Sequence, residues 1–343
     1  MSPGERTPMR ETTEQGPWLP ADPREDAGAG AARWLRPPRP LAQGGRERLL
    51  GVELEFSGLS AAEAAEAVVR VFGGRARQLS EHRALVEGAE AGDFEVELDF
   101  RWAHDGARDP RLRKILGDLG EALLPMEVVC PPMPLSRAPR LEALREALRR
   151  AGARGVEELP LHALGAQLNP ELPDLGVGYI LRAARAYLLL SDWLRDEIQP
   201  TAARRILMFA RPFPAGWGRL ILDPDYAPSL AGFIDDYLRW NPTRNRELDL
   251  LPLLAHLDEE RVRRALPDEK INPRPTWHWR LPNALVDDPD WTLSLEWNRW
   301  VTVERLAERP DLIARHARVW IEDSRLPLAL DRVEHARAIL DEL

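Results

Sequence analysis

The sequence predicts an α+β fold with a mainly antiparallel sheet and flanking helices. Two segments, Gly51-Val-Glu-Leu-Glu-Phe56 and Asp93-Phe-Glu-Val-Glu-Leu-Asp-Phe100, alternate apolar and acidic residues with the period of a strand. Several amphipathic stretches carry helix start and stop signals. Strands are interspersed with helices rather than alternating strictly with them, which favours antiparallel pairing.

Residues 1–45 mix Pro, Gly, Arg and Glu without an apolar period and are expected to be disordered or laid over the surface. Within them Arg36-Pro-Pro-Arg-Pro40 suits a polyproline II segment or a plain leader. A strand is expected over 50–56, then a helix opened by the Ser60/Glu63 capping box and closed at Gly73-Gly74. One strand is expected over 76–86 and another over 94–102. Asp109-Pro110 caps a helix to 124. A short strand follows over 126–130, a helix over 139–151 and a strand over 164–169. The longest amphipathic helix spans 177–198, and further helices fit 229–240, 250–256, 259–266 and two stretches after Val303.

Composition excludes several function classes. A chain of 343 residues, 44% hydrophobic, can bury a sizeable core. Its net charge of −9 argues against nucleic acid and anionic membranes as partners. No run approaches the roughly 18 apolar residues of a membrane span, and no apolar signal core opens the chain, so a soluble cytoplasmic protein is expected. The single cysteine, Cys130, excludes an intrachain disulfide and a thiolate zinc cage. Only Lys114 and Lys270 are lysines among 47 basic residues, and neither follows a glycine, so no P-loop exists. Gly28-Ala-Gly30 lacks the third glycine of a dinucleotide fingerprint, and neither a His-x-x-x-His pair nor a Gly-x-Ser-x-Gly elbow occurs.

Side chains two apart on a strand share a face, so Glu53 and Glu55 point together, as do Asp93, Glu95, Glu97 and Asp99. Like charges about 7 Å apart repel by about 0.6 kcal/mol in water and about 2.4 kcal/mol at an effective dielectric near 20. A semi-enclosed row therefore needs cations, and oxygen-only ligands suit Mg²⁺ or Mn²⁺. The same rows also suit the solvent face of a half-exposed sheet. Glu127, heading a short apolar strand, is a third candidate ligand.

The densest segment, residues 270–300, holds five of the twelve tryptophans. On a strand Trp277 and Trp279 share one face, while Arg274, Thr276, His278 and Arg280 share the other, a set suited to phosphate or carboxylate recognition. Glu296 and Arg299 follow in the next ordered stretch. An arginine–tryptophan surface held by cation–π contacts, or an interface for self-association, accounts for the same composition.

Taken in order, Gly-Val-Glu-Leu-Glu-Phe, Glu-Val-Glu-Leu-Asp, Glu127-Val-Val-Cys-Pro-Pro132, Asn169-Pro-Glu171, Arg274-Pro-Thr-Trp-His-Trp-Arg-Leu-Pro282 and Leu295-Glu-Trp-Asn-Arg-Trp300 resemble the amidoligase family, a branch of the glutamine synthetase-like carboxylate–amine ligases. The resemblance covers most of the chain from about residue 34. It implies a glutamine synthetase-like catalytic domain over 46–343 with a helical C-terminal part, its curved antiparallel sheet holding ATP, Mg²⁺ or Mn²⁺ and a carboxylate substrate. It implies metal-holding roles for Glu53, Glu55 and Glu127, with Glu97 or Asp99 beside them. Arg274, Arg280 and Arg299 would hold phosphate and the substrate carboxylate, Glu296 would be a further acidic site position, and Lys270 and Asn169 would lie near nucleotide or substrate. One position departs from the pattern: a histidine is expected near Gln167, and His162 lies five residues earlier, a spacing that reverses its strand face.

The resemblance implies amide formation between small-molecule or peptide carboxylate and amine substrates, through an acyl phosphate. With Gln167 in place of histidine, a nucleotide- or peptide-binding relative without turnover is a second reading. A Mg²⁺-dependent phosphoesterase is a third, since acidic rows and arginines suit phosphate cleavage as well.

Overall fold

Strand β1 (Leu49–Phe56) is the member on which the sheet is assembled in this computed structural model, which describes residues 33–98, 125–155, 164–201, 210–323 and 331–343. It pairs antiparallel with β5 (Met126–Val129) on one side and β7 (Ala166–Pro170) on the other, while the two-residue β6 (Met133–Pro134) meets its first residues. Beyond β5 the sheet continues through β4 (Phe94–Leu98) and β3 (Arg83–Glu87) to β2 (Arg75–Ser80), all antiparallel. The single strand expected over 76–86 is thus a hairpin. Glu81 and His82 break the run and turn it back, a polar pair that a loose strand reading absorbs. Asp99, the helix expected over 109–124, and His162 lie outside the described residues.

Alternation separates the two faces. Val52, Leu54, Phe56, Phe94, Val96, Val128, Ala166 and Leu168 are buried on one of them. Helices α1 (Ala61–Phe72) and α2 (Arg140–Ala151) belong to the same core, through Ala64, Val68 and Phe72 and through Leu141, Leu144 and Leu148. Fully burying an aliphatic side chain of this size stabilises by about 1.5–3 kcal/mol, which fixes which face turns inward. The capping box forms as the sequence predicts: Ser60 accepts from the Glu63 N–H and Glu63 accepts from the Ser60 N–H at 2.9 Å. After Phe72 the chain reverses at Gly74, φ +84°, where a Cβ would stand 2.7 Å from the Glu87 carbonyl. Only glycine fits there.

Past β7 the sheet runs on without regular strands. Trp279 exchanges backbone hydrogen bonds with Leu168 at 3.0–3.1 Å and bridges to Leu248 on its other side. Residues 276–283 therefore lie between β7 and the 247–249 segment, and the short run of ladder bonds explains why an expected strand is only a string of bridges.

The remaining helices are α3 (Val177–Ile198), α4 (Ala215–Leu222), α5 (Leu230–Trp240), α6 (Leu251–Leu257), α7 (Glu259–Ala265), α8 (Leu293–Ala307), α9 (Pro310–Asp323) and α10 (Arg332–Asp341). Helix α3 has the span that the sequence predicts and packs against α8, α9 and α10. Helix α8 starts well before Val303, because Thr292 caps it through the Leu295 N–H. Most of the described tryptophans are core rather than surface. Trp217, Trp277, Trp279, Trp297 and Trp300 are each at most 1% exposed, and among the described residues only Trp240 is an exposed tryptophan.

Residues 33–45, expected with the loose leader, are held to the fold. Trp34 and Leu35 are buried, the Leu35 N–H donates to Asn298, the Trp297 indole donates to the Leu35 carbonyl, and Arg39 pairs with Glu308 at 2.7 Å. The apolar pair Trp34-Leu35 carries too short a period to register as an element, yet it is enough to dock the segment.

One buried ion pair joins sheet and helices. Arg48, wholly enclosed, grips both oxygens of Glu304 on α8 at 2.6 and 2.8 Å, and Glu304 also accepts from the Trp300 indole. Removing one partner strands the other charge. Glu304→Gln should therefore lower unfolding free energy by about 3–5 kcal/mol in urea titrations; a change within 1 kcal/mol, on this same scale, would show that the pair does not brace the fold.

Candidate active site

The opposite face of the sheet carries the acidic side chains, and strand register aligns them. Glu55 stands opposite Glu127, Glu127 opposite Glu97, and Glu97 opposite Arg83, one row across β1, β5, β4 and β3. The next row runs Gln167, Glu53, Val129, Glu95. Residues directly opposite have Cβ atoms about 4.5–5.5 Å apart, so three adjacent carboxylates repel one another strongly unless hydrogen-bond donors or cations meet them.

The donors come from β7 and its neighbour. Glu55 accepts from the Gly165 N–H at 2.7 Å and from the Gln167 amide at 3.0 Å, and the same amide lies 3.5 Å from Glu127. With its N–H₂ on the carboxylates, Gln167 turns its oxygen to His278, whose Nε2 lies 2.6 Å away and donates. Glu53 accepts from Asn169 at 3.0 Å and stands 3.6 Å from the Arg274 guanidinium. At the far end Arg83 pairs with Glu95 at 3.0 Å and Glu97 at 3.4 Å. Burial pushes the Glu97 carboxyl up from the ordinary glutamate range; Arg83 opposes the rise and Glu95 adds to it.

A basic group stands beside the acidic rows. His278 and Arg280 share their face of the segment, and Arg280 lies 3.5 Å from Asp249, which is wholly buried and also 3.6 Å from Arg244. Asp249 accepts from the Leu251 N–H at the start of α6, which anchors it. Burial pulls the Arg244 guanidinium down, as does neighbouring Arg280, against the attraction of Asp249 and Glu53. Two guanidiniums on one carboxylate leave a net positive charge, and arginine stays ionised even here. Next to this group is an open cleft of about 540 Å³ that includes Glu53, Asn169 and Arg274 in its lining. Cys130 also borders it, and burial, with Glu53 and Glu127 nearby, raises its thiol well above the ordinary range, so it is no thiolate nucleophile.

The chain matches the family model described as "Putative amidoligase enzyme" over residues 46–302, three quarters of its length. It belongs to that family. Compared with curated proteins and with solved structures, the chain matches none. The matched span contains the acidic and basic side chains described above for this face, and it ends within α8.

Among the residues expected for an amidoligase site, the fold brings together Glu53, Glu55, Glu97, Glu127, Gln167, Asn169, Arg274, His278 and Arg280. It does not bring Glu296 and Arg299 to them. Trp300, one turn along α8 from Glu296, packs on Trp277 and Trp279 at centroid distances of 5.9 and 5.7 Å, behind the strand face that carries His278 and Arg280. The α8 N-terminus is tied to α2 through Ser294 and Glu142, again on the core side. Glu296 there accepts from Trp291 and Arg299 through one carboxylate oxygen, while its other oxygen is buried without a hydrogen-bond partner. Lys270 is exposed, and its carbonyl accepts from Arg244.

Sequence reading missed Arg244 and Asp249. The available signal was the polar run Asn241-Pro-Thr-Arg-Asn-Arg-Glu-Leu-Asp249, too charged for an ordinary helix-to-helix loop. The expected five-residue metal set is also redistributed. Its described members occupy two cross-strand rows, and among the described residues no three His, Cys, Asp or Glu form a metal-holding group. The donor chemistry nonetheless fits Mg²⁺ bound with a phosphate ligand, which takes one or two carboxylates rather than a protein cage; Glu127 offers such a pair with Glu55 or with Glu97.

Because Glu97 is raised, the native state binds more protons than the unfolded chain between the unfolded glutamate range and the raised value. Without a bound cation, stability should fall as pH rises from the unfolded glutamate range through the raised value. Glu97→Gln should remove that fall and stabilise the cation-free protein at pH 7 by on the order of 1 kcal/mol. Parallel stability–pH curves for variant and parent, from urea denaturation, would contradict this.

Proposed function

We propose that the chain is a cytoplasmic ATP-dependent carboxylate–amine ligase of glutamine synthetase-like fold that forms an amide through an acyl phosphate. One observation carries the reading: a carboxylate row and a guanidinium group occupy one face of one antiparallel sheet, meeting where Glu53 lies 3.6 Å from Arg274. Membership of the amidoligase family supports the amide-forming part.

Glu127, with Glu55 or Glu97, would hold Mg²⁺ or Mn²⁺, which when bound neutralises phosphate charge. Arg244, Arg274 and Arg280 orient the anionic oxygens and stabilise the transferring phosphoryl group, a task of positioning and electrostatics. An oxygen of the substrate carboxylate takes the γ-phosphoryl group and ADP leaves. The amine nitrogen then attacks the acyl carbon, the bond to phosphate oxygen breaks, and phosphate departs with the bonding pair. The ammonium proton passes to a carboxylate. We assign that task to Glu53, at the junction of rows and cleft, in preference to Glu296, which lies on the core side of α8. Gln167 braces the row by holding Glu55 and accepting from His278.

Purified protein given ATP, Mg²⁺ and a panel of carboxylic acids and amines should release ADP in an amine-dependent manner. Glu127→Gln should reduce that release by about 100-fold or more, the usual scale for losing one electrostatic contact in phosphoryl transfer. Phosphate release that ignores the amine would assign a phosphoesterase, and nucleotide binding without turnover on any pair would assign a binding protein.

A further inference from the structure

The open cleft beside the carboxylate row has a chemistry of its own. Its floor continues the acidic face: Glu95, Val129 and Glu53 lie in one cross-strand row, and Asp93 and Asn169 border the next. Four carboxylates line it, Glu53, Asp93, Glu95 and Glu171, against two guanidiniums, Arg46 and Arg274. Arg46 is held in a two-point pair by Glu171, and Arg274 leans on Glu53. What remains is Asp93, which accepts the Gly88 backbone N–H, and Glu95, reached by Arg83 from outside the cleft. The cleft therefore has an anionic surplus at its mouth. Its other walls are apolar, from Leu49, Val129, Pro131, Pro132 and Pro275.

Two further observations point to a ligand. Asn169 is 3% exposed and lines the cleft, and its carbonyl oxygen has no hydrogen-bond partner while its amide holds Glu53. Gly51, in the middle of β1, has no conformational need to be glycine. A Cβ there would meet Asn169 at an ordinary 3.5 Å, so the missing side chain leaves room rather than relieving a clash. A glycine inside a strand commonly marks close approach of another group.

We infer that this cleft is the subsite for the amine partner, and that it takes a primary amine carried on an alkyl chain in preference to free ammonium. The inference rests on the ligase reading for its place in the reaction, but not for the binding itself. The cationic head is drawn by Asp93 and Glu95 towards Glu53, which the Asn169 amide holds from behind, and the chain lies along the proline-lined wall. Ammonium gains nothing from that wall and leaves a volume of about 540 Å³ to water.

The test titrates nucleotide-free protein with n-butylamine and, at equal ionic strength, with ammonium chloride, by calorimetry. Butylamine should bind at least about tenfold more tightly than ammonium, since burying even two methylenes is worth about 1.6 kcal/mol. The double substitution Asp93→Asn with Glu95→Gln should weaken butylamine by about tenfold, with an affinity that falls less steeply with salt. Gly51→Val should abolish butylamine binding while leaving the thermal melt and ATP affinity near parent values; if it fails to fold, Gly51→Ala serves, with a smaller loss. Equal binding of both amines, or indifference to the charge and steric variants, would overturn the inference. Butylamine binding without ADP release on any acid would leave the subsite standing and remove the ligase reading. Turnover with ammonium alone, unchanged by Gly51→Val, would do the reverse.

Discussion

Electrostatic repulsion along one cross-strand row governs this structure. Antiparallel register sets Glu55, Glu127 and Glu97 side by side on one face, an arrangement that costs several kcal/mol in a low-dielectric setting unless it is met. The compensation is spread over the fold. Amides from Gln167 and Asn169 enter from β7, Arg83 enters from β3, and the Arg244–Asp249–Arg280 group stands past the opposite edge. Burial raises the Glu97 carboxyl, with Glu95 adding to the rise and Arg83 opposing it, so Arg83 only partly meets this end of the row. Had the row been fully paired by arginines, it would be a structural salt-bridge network with little left to bind.

Such a face works only if it does not relax, and the back of the sheet supplies the stiffness. Trp277 and Trp279 alternate with His278 and Arg280, so each basic side chain is flanked by an indole anchored in the core against Trp300. The Arg48–Glu304 pair fixes the start of β1 to the same helix. Positions on β1 and on the 276–283 segment are thereby referred to one rigid support, which lets Glu53 and Arg274 face each other from distant parts of the chain. Glu296 and Arg299 belong to that support. Their charge suggested chemistry, but their place on α8 gives them to the packing of the helix against the strands.

Much of the fold was legible because its signals are local. The Ser60/Glu63 box, the Asp258 and Ser229 caps, the Thr292 cap and the Gly73-Gly74 stop each act within a turn. Thr292 carries the same local signal, and no helix start before Val303 was drawn from it. The 76–86 hairpin was merged because the two-residue turn at Glu81-His82 contains neither glycine nor proline. Residues 33–45 were given to the leader because Trp34-Leu35 is a single apolar pair whose partner, Trp297, lies more than half the chain away.

By itself the sequence determined which side chains share a face: alternation on a strand is a matter of two backbone dihedrals per residue, and it put Glu53 with Glu55, Glu95 with Glu97, and His278 with Arg280. It could not determine which faces would meet. That followed from register between strands up to more than a hundred residues apart, from the imidazole of His278 reaching Gln167, where a histidine was expected nearby in sequence, and from Asp249 gathering Arg244 with Arg280. Those choices were made by burial of the opposite, apolar face, a free energy summed over the whole core and invisible in any one segment.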